Sequence, residues 1–165
     1  MPCDIFSRPI SGLLIPGMDP EAMAFDRSQS ATYLAGQMAK SFARSLQKRS
    51  AGLGFSPGQF PVLLELWHQD GLTQKQLLDR LEVEQATLAN TLARMERDGQ
   101  IARTPHPTDK RAQIITLTDL GRELERHALE AAEEADAALF EGFRRFEREL
   151  MIEYMRMVLQ NARNL

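Results

Sequence analysis

Cysteine is nearly missing from this chain. Cys3 is the only one in 165 residues, so no disulfide can close within it, and a reducing, cytoplasmic setting is the one expected. Histidine is almost as scarce. His68 and His106 stand isolated in sequence. His127 can share a helical face with Glu123 and Glu130, but solvated charge accounts for those three better than a metal site. Neither a metal nor a cofactor is therefore expected. There is no nucleophile motif, no phosphate-cradling Gly loop and no clustered His, Cys and Asp set, which argues against an enzyme.

Long apolar runs are also absent. A membrane span needs roughly 18 consecutive apolar residues, and no segment approaches that. Near the start, Ile5, Phe6, Ile10, Leu13, Leu14 and Ile15 are interrupted by Pro9, Gly12, Pro16 and Gly17, with no basic lead-in. Neither a secretory leader nor contact with a membrane is expected. Composition is otherwise that of a soluble globular chain, 43% apolar and 26% charged. The length suits one domain with a real core, or a small domain with an oligomerisation module.

Net positive charge is lacking too, since the total is −3, which at first disfavours a nucleic-acid partner. Its distribution is uneven. Segment 28–52 carries Lys40, Arg44, Lys48 and Arg49 and no acid, and residues 72–112 carry seven basic groups against six acids. The tail 119–165, with eleven acids against seven basic groups, dominates the sum. Phosphate contact depends on the local surface, so the balance permits such a partner without arguing for one.

What the chain does have is helical periodicity broken by turn signals. Residues 1–27 read as a Pro/Gly-punctuated extension whose apolar side chains suggest packing against something, such as a partner subunit. From Ser28 to about Ser50, Ala31, Leu34, Met38, Phe42 and Leu46 recur at three to four residues, one helix face. Ser56-Pro57-Gly58-Gln59 reads as a helix start, with Ser56 as cap, Pro57 in the first turn and Gln59 closing a capping box. Phe60, Leu63, Leu64 and Trp67 mark that second helix. Thr73-Gln74-Lys75-Gln76 is another capping box, opening a third helix through Leu77, Leu78 and Leu81. A fourth begins near Glu84, with Leu88, Leu92 and Met95 on one face and Gly99 as its C-terminal cap. Two short helices joined so tightly form a helix-turn-helix.

Ile101–Thr104 and Gln113–Thr118 can pair as an antiparallel hairpin around the stiff loop Arg103–Ala112, which makes a wing. Thr118 caps a fifth helix, from Asp119 to about Phe140, with Leu120, Leu124, Ala128, Ala131, Ala135 and Leu139 on its stripe. After Gly142, a last helix carries Phe143, Phe146, Leu150, Tyr154, Met157 and Val158. Stripes this long need a cover, and a second copy about a two-fold axis supplies one economically. Helix Ala31-side and tail together would then be dimerisation helices around a central unit.

With Leu88, Leu92 and Met95 turned inward, the opposite face of the fourth helix carries Gln85, Ala86, Ala89, Asn90 and Ala93. A solvated face would look the same. The tight turn before it and the wing after it favour a helix that enters a DNA major groove, where Gln and Asn amides pair with adenine and alanines approach thymine methyls. Arg94 fits either a phosphate contact or an ion pair with Glu96 or Asp98. Lys75 can reach phosphate from the start of the third helix. In the wing, Arg111 suits a narrow minor groove. Asp109 either orients it or forms with it an exposed salt bridge worth at most about 1 kcal/mol.

These residues reach a family. Leu53–Glu123 resembles the MarR family of winged helix-turn-helix regulators, through Ser56-Pro57-x-Gln59-Phe60, Leu72-Thr73-Gln74 and Leu92-x-Arg94-Met95-Glu96-x-Asp98-Gly99. The wing Arg103-x-Pro105-x-Pro107-x-Asp109-Lys110-Arg111-Ala112 and Leu117-Thr118-x-x-Gly121-Arg122 complete the signature. The resemblance implies a mainly α fold with a small antiparallel β wing and long N- and C-terminal dimerisation helices. The expected organisation is an extension over 1–27, a first dimerisation helix over 28–54, a winged helix-turn-helix over 55–118 and C-terminal dimerisation helices over 119–165.

It further implies a homodimer on double-stranded DNA with a pseudo-palindromic operator, half-sites about one helical turn apart. The expected DNA-contacting set is Lys75, Gln85, Ala86, Thr87, Ala89, Asn90, Arg94, Arg103, Asp109, Lys110 and Arg111. Family members commonly carry a hydroxyl where Ala86 and Ala89 stand, so sequence preference is shifted. A repressor released by a small aromatic or anionic effector is the expected activity, with Met38, Phe42, Trp67, His68 and Met95 as the residues for that ligand. A redox-switching branch of the family uses a first-helix cysteine; the corresponding position here is about Thr32, so that mechanism is disfavoured. The alternative is a dimeric winged-helix interaction module that binds no DNA.

Overall fold

A computed structural model of the chain describes residues 26–109 and 111–164. The expected extension therefore lies outside the described residues except for Asp26 and Arg27. Two units divide the chain after Gln37, within the first helix. At the start of the first unit's described part, the Asp26 carboxylate accepts from Ser28 N at 2.8 Å and stabilises a 3-10 turn over Arg27–Gln29. Ser30 Oγ then accepts from Tyr33 N at 3.2 Å, so helix α1 runs Ala31–Arg49 instead of starting at Ser28. The local reason is that Asp26 engages the chain before a regular helix can begin.

In the second unit, α2 (Phe60–His68), α3 (Gln74–Leu81) and α4 (Gln85–Arg97) surround a small sheet. The sheet is antiparallel, in the order β1-β3-β2, from Leu72–Thr73, Gln113–Leu117 and Ile101–Pro105. The hairpin pairs Ile101 with Leu117 and Pro105 with Gln113, and Leu72 sits opposite Ile115. Two long helices follow, α5 (Asp119–Leu139) and α6 (Arg145–Ala162). The core is apolar and local: Leu63, Leu66, Leu72, Leu77, Leu88, Leu92, Met95 and Ile115 are fully buried. Among the described residues no helix is long and apolar enough to cross a membrane.

Three caps match the pattern of the sequence. Thr73 and Gln76 form the reciprocal capping box of α3. Thr118 Oγ1 accepts from Gly121 N at 3.1 Å and opens α5. Gly99, with φ of 75°, ends α4: its N–H donates to Glu96 O at 3.1 Å and Gln100 N donates to Met95 O at 2.9 Å, the paired bonds of a Schellman cap.

Other expectations are corrected. α2 starts at Phe60, not Pro57, because residues 57–59 form a turn. Gln59 still reaches back to Ser56 N at 2.7 Å, but its amide nitrogen spans to Asp98 at 3.1 Å. The buried stripe of α5 begins at Gly121 and continues through Leu124, Ala128, Ala131 and Ala135. Leu120 and Leu139, at its two ends, are exposed.

Candidate nucleic-acid interface

The orientation of α4 follows from what pins it. Glu82, with φ of 51°, turns the chain through the left-handed region between α3 and α4. Leu88, Leu92 and Met95 are then drawn into the core. At the far end, Asp98 holds Arg97 through two short bonds, 3.0 and 2.9 Å, and accepts from Gln59. The Arg97 guanidinium is the main reason the Asp98 carboxyl lies below its ordinary range. Consequently Gln85, Ala86, Thr87, Asn90, Ala93 and Arg94 face outward, while Ala89 is half-buried. No carboxylate among the described residues pairs with Arg94, whereas Arg97 is paired with Asp98.

The wing projects from the same side. Its tip is closed by His106 N donating to Ala112 O at 3.1 Å and Ala112 N donating to Asp109 O at 3.0 Å. Asp109 Oδ1 accepts from the backbone N–H of Arg111 at 2.9 Å, whereas the Arg111 guanidinium stays 3.9 Å away. The carboxylate thus fixes the turn and leaves the side chain of Arg111 95% exposed. Lys110 lies outside the described residues. Arg103 behaves differently from its neighbours: its Nε is 3.1 Å from Glu96 of α4, without the alignment of a hydrogen bond, and the side chain is mostly covered. It ties the base of the wing to α4.

A cleft of about 710 Å³ opens between the start of α3, the first turn of α4 and the wing. Lys75, Gln85, Arg103, His106, Asp109 and Arg111 line it. Of the residues expected from sequence to meet DNA, Lys75, Gln85, Arg103, Asp109 and Arg111 line this cleft, while Ala86, Thr87, Asn90 and Arg94 are exposed on α4 outside its lining.

His106 was not among the sequence candidates. Its Nδ1 lies 3.1 Å from Asp109 N and 3.4 Å from Thr108 N. The available signal was its place two and three residues before those amides, the spacing at which a short acceptor side chain closes a turn. The residues expected for an effector differ in their surroundings. Met95 is enclosed in the core. Trp67 is half-buried, donates to Gly121 O at 2.9 Å and meets Phe60 edge-on. Phe42 leans on Phe140 with ring centres 6.0 Å apart. Met38 is half-buried, and His68 is exposed at the end of α2.

The MarR family model matches residues 55–112, which run from the α2 entry through the wing tip. That match spans 58 of the chain's 165 residues, so the resemblance to the MarR family is carried by the winged-helix region. Its fold is the winged helix of MarR structures, and the curated relatives that it matches are transcriptional regulators. YdgJ of Bacillus subtilis (strain 168), an HTH-type transcriptional regulator, is 26% identical over 118 residues, 72% of each chain. TtmR of Methylorubrum extorquens (strain PA1) is 36% identical over 86 residues, 52% of this chain and 44% of TtmR. Two solved MarR-fold structures place the same architecture. PcaV from Streptomyces coelicolor, solved with its natural ligand, superposes with a TM-score of 0.75 at 22% identity, covering 84% of this chain and 98% of PcaV. A putative MarR-family regulator from Listeria monocytogenes, complexed with 26mer DNA, gives 0.71 at 20% identity, covering 81% and 89%.

Proposed function

We propose that this regulator acts as a homodimer on a pseudo-palindromic operator, represses transcription there, and lets go when a small aromatic or anionic effector binds. The observation that carries the reading is the outward face of α4 set beside a wing whose arginine is unencumbered. Gln85 and Asn90 offer amides that pair bidentately with adenine edges, and Ala86, Ala89 and Ala93 let the helix backbone approach the groove floor. Thr87 and Arg94 lie towards phosphate, as does Lys75 from α3. Arg111 suits the potential of a narrow minor groove. Arg103 supports this surface through Glu96, and Asp109 does so through the wing turn. Lys110, whose position is not described, adds basic charge to the loop.

Dimerisation is supported by α6. Phe146, Leu150, Tyr154, Met157 and Val158 recur at helical spacing and are all exposed in the single chain. A two-fold pairing would cover them and set two α4 helices about one DNA turn apart. For the effector, the support is the ligand seen in PcaV. Screening aromatic acids by thermal shift identifies such a compound, because a ligand that binds only the native state raises its stability.

A mobility-shift assay against the region upstream of the protein's own gene tests the operator reading. A discrete complex that survives excess unrelated DNA is expected. Arg111→Ala should weaken it by about tenfold or more, a loss on the scale of one strong groove contact, with helicity unchanged. No sequence-specific shift at low salt would sink the reading and leave a winged-helix interaction module in its place.

A further inference from the structure

We infer that His106 is a positioning residue of the wing, which holds the tip in its binding shape only while the imidazole is neutral, so that operator affinity falls as the ring gains a proton. Pro105 and Pro107 flank His106 and restrict its backbone, and the ring turns over the tip. Two backbone N–H groups point at Nδ1, Asp109 N at 3.1 Å and Thr108 N at 3.4 Å, and the Thr108 hydroxyl lies 3.3 Å from it. A nitrogen that accepts from backbone N–H groups carries no proton of its own, so this donor set assigns the ring proton to Nε2. The consequence runs along the loop. The ring fixes the Asp109 amide, the Asp109 carboxylate fixes the Arg111 amide at 2.9 Å, and Ala112 N closes on Asp109 O at 3.0 Å.

An imidazolium has N–H on both nitrogens. It would meet the Asp109 and Thr108 amides donor to donor, and the ring must swing away. Arg111 then loses its fixed take-off point. The charged groups that line the cleft with the ring are Lys75 from α3, Arg103 from β2, and Asp109 and Arg111 from the loop itself; Lys110 also belongs to this loop. A histidine acting only as a surface cation would do the reverse, since acidification would add charge beside phosphate and tighten binding. The sign of the pH effect therefore separates the two roles.

This inference rests on the wing's contact with DNA, and the test keeps the two apart. Affinity of the full chain for an operator duplex is measured at constant ionic strength at about pH 8 and about pH 5.5. The wild type is compared with His106→Asn, whose amide oxygen can accept the same N–H without titrating, and with His106→Ala. The wild type should weaken about tenfold more than His106→Asn on acidification, the scale of one lost hydrogen bond. His106→Ala should be weak at both pH values. Parallel profiles for wild type and His106→Asn, or a wild type that tightens relative to it, would overturn the inference. In the free protein, the Asp109 amide resonance should follow an imidazole titration in the wild type and stay flat in His106→Asn. A flat wild-type resonance overturns the coupling whatever DNA does. A titrating resonance with no DNA binding at any pH would support the coupling and fault the operator reading instead.

Discussion

At Gly121 a missing side chain lets α5 begin against the base of the wing. A Cβ built there would lie 2.1 Å from Gln100 O and 3.1 Å from Leu117 Cδ2. The first neighbour is backbone, and Gln100 is itself enclosed, its amide nitrogen donating to Gly54 O at 2.5 Å. Nothing there can yield cheaply. Gly121→Ala should therefore destabilise the fold by about 2 kcal/mol or more, the range for overpacking a closed site. Gly36 is the opposite case, a helical glycine with nothing within 4 Å of its added Cβ. Gly36→Ala should stabilise by up to about 1 kcal/mol through helix propensity alone. Urea midpoints for the pair check both; equal effects would mean that the close approach at Gln100 is not maintained in solution.

At the scale of elements, Asp70 joins three of them. From the turn between α2 and β1 it accepts from Leu117 N at the end of β3 at 2.9 Å and from Arg122 of α5 at 2.6 Å, while Arg122 also donates to Leu117 O at 3.0 Å. Burial pushes the Asp70 carboxyl up, but the bonds from Leu117, Arg122 and Gly71 together outweigh it and hold it below the ordinary carboxylate value. A folded value below the unfolded one means that the clasp's contribution is complete above about pH 4 and fades as pH falls through the folded value. Asp70→Asn should lower the urea midpoint at pH 7 and flatten its decline on the acid side. An equal deficit at pH 7 and below pH 3 would show that the carboxylate's charge is not what matters.

The same scale shows what could be read in advance. Helices α1 to α6 were legible because apolar residues recur at three to four positions and Thr73, Gly99 and Thr118 punctuate them. β1 was not, because two residues carry no alternation; Leu72 pairs with Ile115 only once α2 has brought it there. The start of α2 was misread because Gln59 divides its amide between Ser56 and a residue 39 positions away, Asp98. In the wing the basic tip was visible, yet the division of labour was not. Sequence spacing shows Asp109 and Arg111 as a pair, while only geometry reveals that the carboxylate takes the backbone and His106 sets both.

For the whole molecule, α6 decides what kind of regulator this is. No residue of it is buried in the single chain, and Val158 and Leu159 are 66% and 63% exposed. A helix with that face left to water gains little from folding, so a second chain is the natural cover. In the proposed dimer α4 and the wing would act in pairs, since two copies at a fixed spacing read a site that one cannot. Light scattering on the protein mixed with its operator duplex tests this most directly. The complex should hold two 18.7 kDa chains per duplex, form at equivalence, and fail to form with a shuffled duplex of equal length. One chain per duplex, or equal binding to the shuffled sequence, would contradict the account.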